Sequence, residues 1–200
     1  ERTERGERAG GDGTKADAAV GLVKHWNADE PVTTIEPSPY LTTTRRFANP
    51  LYLRVERILE YASLDSATRE EIDRLAGTAR AASVHAIDRD SSWTAKRAAL
   101  ALIHNAGLEP NRAIGYRAFC RREGAALDDF ATWCALSEAY GPDWHTWPGP
   151  LRHPRSPAVA AFARVQPAVI DFHRWLLRGT DEQLAAAQGG GGSPGQGAGV

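Results

Sequence analysis

Methionine is missing from all 200 residues of this chain, which begins at Glu1, so no translation start lies within it and the expectation is a piece of a longer protein. Cysteine is nearly as scarce. Cys120 and Cys134 have no CxxC neighbour and no metal-type spacing to a histidine, which argues against a zinc ribbon or a disulfide framework and predicts two reduced thiols in helical segments. An excess of one charge is lacking too: 24 basic residues against 25 acidic ones leave a formal net charge of -1. No broad field therefore draws in nucleic acid or an anionic membrane. No apolar run approaches the roughly 20 residues of a bilayer span, and the first residues hold no apolar stretch of the signal-peptide kind, so the expected compartment is the cytoplasm. Neither a GxxxxGK[ST] loop nor the glycine context of a nucleophile elbow around Ser38, Ser83 or Ser156 is found, which sets aside nucleotide hydrolysis and covalent serine chemistry.

What is present divides the chain into three parts. Residues 1–19 alternate charge with glycine and are expected to be disordered, as is the Gly/Ser-rich tail 189–200, "GGGGSPGQGAGV". Between them, residues 20–188 can fold. Pro31, Pro37, Pro39 and Pro50 forbid long helices up to Asn49, because each removes an amide donor and biases its predecessor toward extended conformations. Leu51, Leu53 and Val55 alternate, which predicts a short strand over Leu51–Val55.

Helical signals follow. Asp65 or Ser66 can cap a first helix with an apolar stripe of Ile72, Leu75, Ala76 and Ala79. A second starts near Ser91 or Ser92 and ends at Gly107, and a third runs from an Asn111 cap to Gly124. Asp128 would cap a fourth, with Phe130, Trp133, Cys134 and Tyr140 inward and Gly141 as terminator. Ser156-Pro157 has the order of a cap followed by the first helical residue. The last helix opens at Pro167, presents Val169, Ile170, Phe172, His173 and Leu176, and weakens at Gly179. The fold class read from these signals is mainly α with a short strand.

Candidate chemistry is sparse. Asp88-Arg89-Asp90 would offer two carboxylates on one face if extended, but Asp90 reads as the cap of the next helix. Asp128-Asp129 and Asp181-Glu182 are adjacent on helices, so their side chains diverge as solvated acids. His145, His153 and His173 form no grouping with metal-ligand spacing. Trp144 and Trp147, in "GPDWHTWPGPLRHP", are open to two readings: indoles that stack on sugar rings, or plugs for a gap between helices.

One stretch does not read as packing. "SPYLTTTRRFANPLYLRVE" resembles the segment with which 4-alpha-glucanotransferases, or amylomaltases, line a donor-sugar site. "IDRDSSWTAKRAAL", "FCRREGAALDDFATWCALSEAYGPDWHTWP" and "DFHRWLLRGTDEQLAAAQ" follow in the order of similar blocks in longer bacterial members, so the likeness covers roughly residues 35–188. The resemblance implies part of a (β/α)8 TIM-barrel enzyme with helical insertion subdomains. It implies transfer of α-1,4-glucan segments between maltooligosaccharides by a retaining double displacement, with no organic cofactor and no metal. Ser38 and Tyr40 map onto the family's Ser-Pro-Tyr motif, whose tyrosine stacks on the sugar beside the scissile bond; Trp144 and Trp147 are further candidate sugar contacts. For Arg45 and Arg46 the expectation is ion pairing rather than sugar contact. The family's catalytic carboxylates are expected on strands beyond Val200, leaving this chain inactive alone. The alternative is a non-catalytic helical module that binds sugar or another protein.

Overall fold

The computed structural model describes residues 27–28, 43–82 and 88–189, and helix dominates them. A two-residue strand β1 (Asn27–Ala28) pairs antiparallel, with an irregular register, to β2 (Thr44–Ala48). Three 3-10 turns then lead into the helices, at Pro50–Tyr52, Val55–Arg57 and Leu59–Ser63. The strand expected over Leu51–Val55 is thus replaced by turns, and the strand lies upstream. Pro50 fixes φ at the first turn position, while the Asn49 Oδ1 accepts the Leu51 amide at 2.9 Å. Amides of Tyr52 and Leu53 reach back three residues to Asn49 and Pro50, both at 3.1 Å, so the backbone coils instead of extending. Apolar alternation still decides burial: Leu53 is sealed while its neighbours Tyr52 and Arg54 face out.

Six α-helices follow among the described residues: α1 (Ser66–Ala82), α2 (Arg89–Asn105), α3 (Pro110–Glu123), α4 (Ala125–Tyr140), α5 (Pro157–Val165) and α6 (Pro167–Gly189). Asp65 caps α1 through its Oδ1, which accepts the Thr68 amide at 2.7 Å. For α2 the cap is Asp88 and not Asp90, because the Asp88 carboxylate accepts both the amide and the hydroxyl of Ser91. Two other starts fall earlier than Asn111 and Asp128 suggested. Pro110 is preorganised for the first turn of α3, and Gly124, at φ 58°, ends α3 and admits α4 in one step. Ser156 caps α5 as expected, its Oγ accepting the Val159 amide at 3.1 Å. Tyr140, expected inward, is 43% exposed at the end of α4.

Burial converges on α6. Phe172, Trp175 and Leu176 enter a core with Leu53, Ile72, Trp93, Leu100 and Ile103. Leu177 joins Phe47, Phe119 and Phe130 on another side, and Ile170 packs against Ala131 and Ala135 of α4. The Lys96 ammonium of α2 donates to the Leu51 carbonyl at 2.6 Å, tying the turn segment to the bundle. Cys120 and Cys134 form no disulfide. No helix among the described residues is long and apolar enough to cross a membrane.

Gly179 does not weaken α6, which runs on to Gly189. Its missing side chain admits Leu53 instead: a Cβ at Gly179 would lie 3.2 Å from Leu53 Cδ2. Gly179→Ala should leave stability within about 1 kcal/mol of the parent, since gained helix propensity offsets a tight contact with a side chain that can give. Gly179→Val should cost about 1 to 3 kcal/mol by overpacking. Urea unfolding midpoints check both, and equal stability of Gly179→Val and the parent would refute the packing role.

Candidate functional site

A cleft of about 540 Å3 opens between β2, α4, α5 and the loop that joins the last two. The volume lies within the range of about 300 to 1,000 Å3 common for small-molecule sites. Aromatic rings make its floor. Phe47 of β2 stacks on Phe130 of α4 with centroids 5.6 Å apart, and Trp133 leans on Trp147 at 4.8 Å. Leu136 and Val159 close the apolar surface beneath them.

Local chemistry locks the loop. Gly141, at φ 91°, stops α4, and Asp143 caps a 3-10 turn over Trp144–Thr146 by accepting the His145 amide at 3.0 Å. The Trp147 indole N–H donates to the Gly141 carbonyl at 2.8 Å, and Arg152 Nε donates to the Trp147 carbonyl at 2.7 Å. Ser156 Oγ donates to the Pro150 carbonyl while capping α5. Side-chain hydrogen bonds thus tie this loop, rich in proline and tryptophan, to the end of α4 and the start of α5.

These contacts separate the two tryptophans. Trp147 is 1% exposed with its only donor committed, so of the two readings it takes the packing one, and the expected sugar-stacking face is covered. Trp144 is 39% exposed, stacks on the His145 ring at 3.9 Å, and lies outside the lining of the cleft. Ser38 and Tyr40 fall outside the described residues. The sequence did not single out Phe47 or Arg155, read Asp129 only as a solvated acid, and counted Trp133 and Phe130 only as core; the signal available was that Phe47 belongs to the unusual stretch at residues 38–52.

The rim carries both charges. Asp128 pairs with Arg174 at 2.8 Å, and Arg46 pairs with Glu123 at 3.2 Å, as expected for ion pairing. Asp129 and Arg155 also face the cleft, both exposed, and no ion pair engages either among the described residues. The Asp181-Glu182 pair is a correction: these acids are bound, not merely solvated. Asp181 meets Arg122 at 2.8 Å, and Glu182 meets Arg112 at 2.7 Å and Arg178 at 2.8 Å, with Glu60 completing the Arg112 pairing. Asp171 accepts the Tyr116 hydroxyl at 2.6 Å and lies 3.3 Å from His104. No group of three or more His, Cys, Asp or Glu that could hold a metal occurs among the described residues.

Fold and cleft define a chiefly helical unit with a pocket whose floor is aromatic and whose rim carries both charges. Comparison with known proteins supplies the family. The family pattern of glycoside hydrolase 77, described as 4-alpha-glucanotransferase, matches residues 18–191, and the chain belongs to that family. It is 55% identical over 154 residues to proteins named 4-alpha-glucanotransferase from Mycobacterium bovis and Mycobacterium tuberculosis, an overlap of 77% of this chain and 21% of each relative. This chain thus spans about a fifth of the length of the curated relatives it matches. The crystal structure of amylomaltase from Corynebacterium glutamicum superposes with a TM-score of 0.64 at 33% identity, covering 86% of this chain and 24% of that one.

Elsewhere on α4, Glu138 receives a two-pronged ion pair from Arg97, both contacts at 2.8 Å, and its Oε1 lies 3.3 Å from the buried His173 Nε2, which has no well-aligned hydrogen-bond partner. Burial alone would raise the Glu138 pKa, but the His173 ring and the Arg97 guanidinium outweigh it and lower it to about 2. Such a group contributes stability that is complete above its ordinary pKa of 4.5 and is lost as pH falls toward about 2. Between pH 5 and pH 2 the parent should therefore lose on the order of 2 kcal/mol more stability than Glu138→Gln, after allowing for solvent screening. Equal acid losses in the two proteins, measured by urea unfolding, would remove the ion pair from the account.

Proposed function

We propose that this chain is the amino-terminal and helical portion of a 4-alpha-glucanotransferase, which moves α-1,4-glucan segments between maltooligosaccharides in the cytoplasm. The family match over residues 18–191 carries the reading. In it, the remaining length of the protein forms the (β/α)8 barrel and supplies the catalytic carboxylates. Ser38 and Tyr40 form one wall of the donor-sugar site, as the Ser-Pro-Tyr motif implies, with the tyrosine ring stacking on the sugar. Trp144, with part of its indole open, is a further sugar contact; neither an organic cofactor nor a metal takes part.

The chemistry asks for two carboxylates about 5 to 5.5 Å apart across the glycosidic bond, one attacking the anomeric carbon and the other protonating the leaving oxygen. The described acids most nearly buried are otherwise engaged. Glu60 and Glu182 hold Arg112, Glu138 holds Arg97, and Asp171 holds Tyr116 and His104. Against the opposing effect of burial, these partners hold the Glu182, Glu138 and Asp171 carboxyls below their usual range, which keeps them ionised, the opposite of what a general acid needs.

Two assays test the reading. Purified chain incubated with maltotriose should yield neither free glucose nor longer oligomers above a blank; their appearance would refute the assignment of catalysis to the remaining barrel. Grafted in place of the matching 154-residue segment of the mycobacterial relative, the chain should restore glucose release from maltotriose. A folded but inactive graft would overturn the glucanotransferase reading.

A further inference from the structure

We propose that the groove between the 3-10 turn segment and the last turns of α6 is a docking surface for an apolar helix face from the remaining polypeptide of the longer enzyme. The identity of that enzyme rests on the glucanotransferase reading; the groove rests on geometry alone. Its volume is about 840 Å3, with Tyr52, Leu59 and Tyr61 contributed by the turn segment and Ala185, Ala186 and Ala187 by α6. Single exposed apolar residues are ordinary, but several gathered along one groove mark a contact surface. Leu59 is 63% exposed and Tyr52 43%. The neighbours Ile58 and Glu60 are both buried, so the turn leaves Leu59 facing out, where its own packing has no use for a leucine.

The polar groups of the groove decide what it does not take. Arg54 pairs with Glu56 at 2.7 Å, Arg112 with Glu60 at 2.9 Å and with Glu182 at 2.7 Å, and Arg178 with Glu182 at 2.8 Å. The Gln183 side-chain amide is used twice on Arg54, accepting from its backbone amide and donating to its carbonyl, both at 2.9 Å. Among the described residues, exposed Arg57 is the lining charge outside these pairs. A charged or hydroxyl-rich ligand would have to displace an existing bond for most of those it formed, whereas an apolar face gains by taking Leu59 and the alanines out of water. The alanines also set a shape: such short side chains let a second helix approach to about 8 Å between axes, the near end of the packing range. Length supplies the partner. The chain covers 21% of each mycobacterial relative, so in a protein of that size most of the polypeptide lies outside this unit, with apolar faces of its own to bury.

Thiol alkylation, read position by position by mass spectrometry, tests the proposal. Leu59→Cys and Ala186→Cys are introduced into the chain alone and into the graft that replaces the matching 154-residue segment of the mycobacterial relative, with exposed Glu70→Cys on α1 as the reference. In the chain alone all three should react at the rate of a free thiol. In the graft the two groove positions should react about tenfold more slowly relative to Glu70→Cys, because reaction must wait for local opening. A second measurement needs no graft: emission of the uncharged dye Nile red with the chain alone should fall about twofold on combining Leu59→Gln with Ala186→Gln. The substituted positions are exposed, so circular dichroism should match the parent. Groove thiols that react equally fast in both settings, or dye emission that does not change, would overturn the docking surface, and glucose release by the same graft would leave the glucanotransferase reading standing. Slow reaction already in the chain alone, deepening with protein concentration, would give the groove to a second copy of this chain and equally overturn the proposal. A folded graft that shields the groove but releases no glucose would support the docking surface while overturning the glucanotransferase reading.

Discussion

The structure depends on burying one helix around most of its circumference. From Ile170 to Thr180, α6 places Ile170, Phe172, His173, Trp175, Leu176, Leu177, Arg178 and Thr180 out of solvent. No single apolar stripe could do this, because those positions span more than one face of a 3.6-residue period. The other elements are consequently arranged about α6: α1, α2 and the turn segment on one side, β2 and α3 on another, and α4 and α5 on a third. Gly179 is the price of that crowding, since the helix sacrifices propensity there to let Leu53 approach.

Burial on all sides constrains the polar residues of α6 in turn. A charge taken out of water without a partner costs several kcal/mol, so each must meet its complement on a neighbouring element. Arg178 is 5% exposed; it reaches Glu182 on its own helix and donates to the Arg112 carbonyl of α3 at 3.0 Å. Arg112 in turn joins Glu60 of the turn segment to Glu182, fixing three elements with one guanidinium. The carboxylates responsible belong to adjacent acids or to turns, and their partners lie far away in sequence. Such pairs contribute more to choosing one arrangement of helices than to net stability, because desolvation consumes much of the Coulomb gain.

That distinction marks what was legible in the sequence. Features closed within a few residues were readable: the Ser156 and Asp65 caps, the Gly124 and Gly141 stops, and the inward set of α6. The terms that decided otherwise were either competing local geometries or distant contacts. Asn49 and Pro50 turned an alternating apolar run into 3-10 turns while preserving the alternation of burial, a case where pattern and backbone part company. The proximity of Asp88 and Asp90 hid which one would cap α2. For Glu182 the missing information was Arg112, 70 residues away. Trp147 looked like a loop residue because its loop composition is visible and its burial against Trp133, Leu136 and Val159 is not. The same blindness concealed the cleft, whose walls come from β2, α4 and α5 and meet only in the folded chain.

Chain connectivity links that cleft to the stretch that first looked unlike packing. Thr43 lines the cleft, and three peptide units separate it from Tyr40, so their Cα atoms can lie no farther apart than about 11 Å whatever path the chain takes. Covalent connectivity thus keeps that stretch close to β2 and to the walls of the cleft.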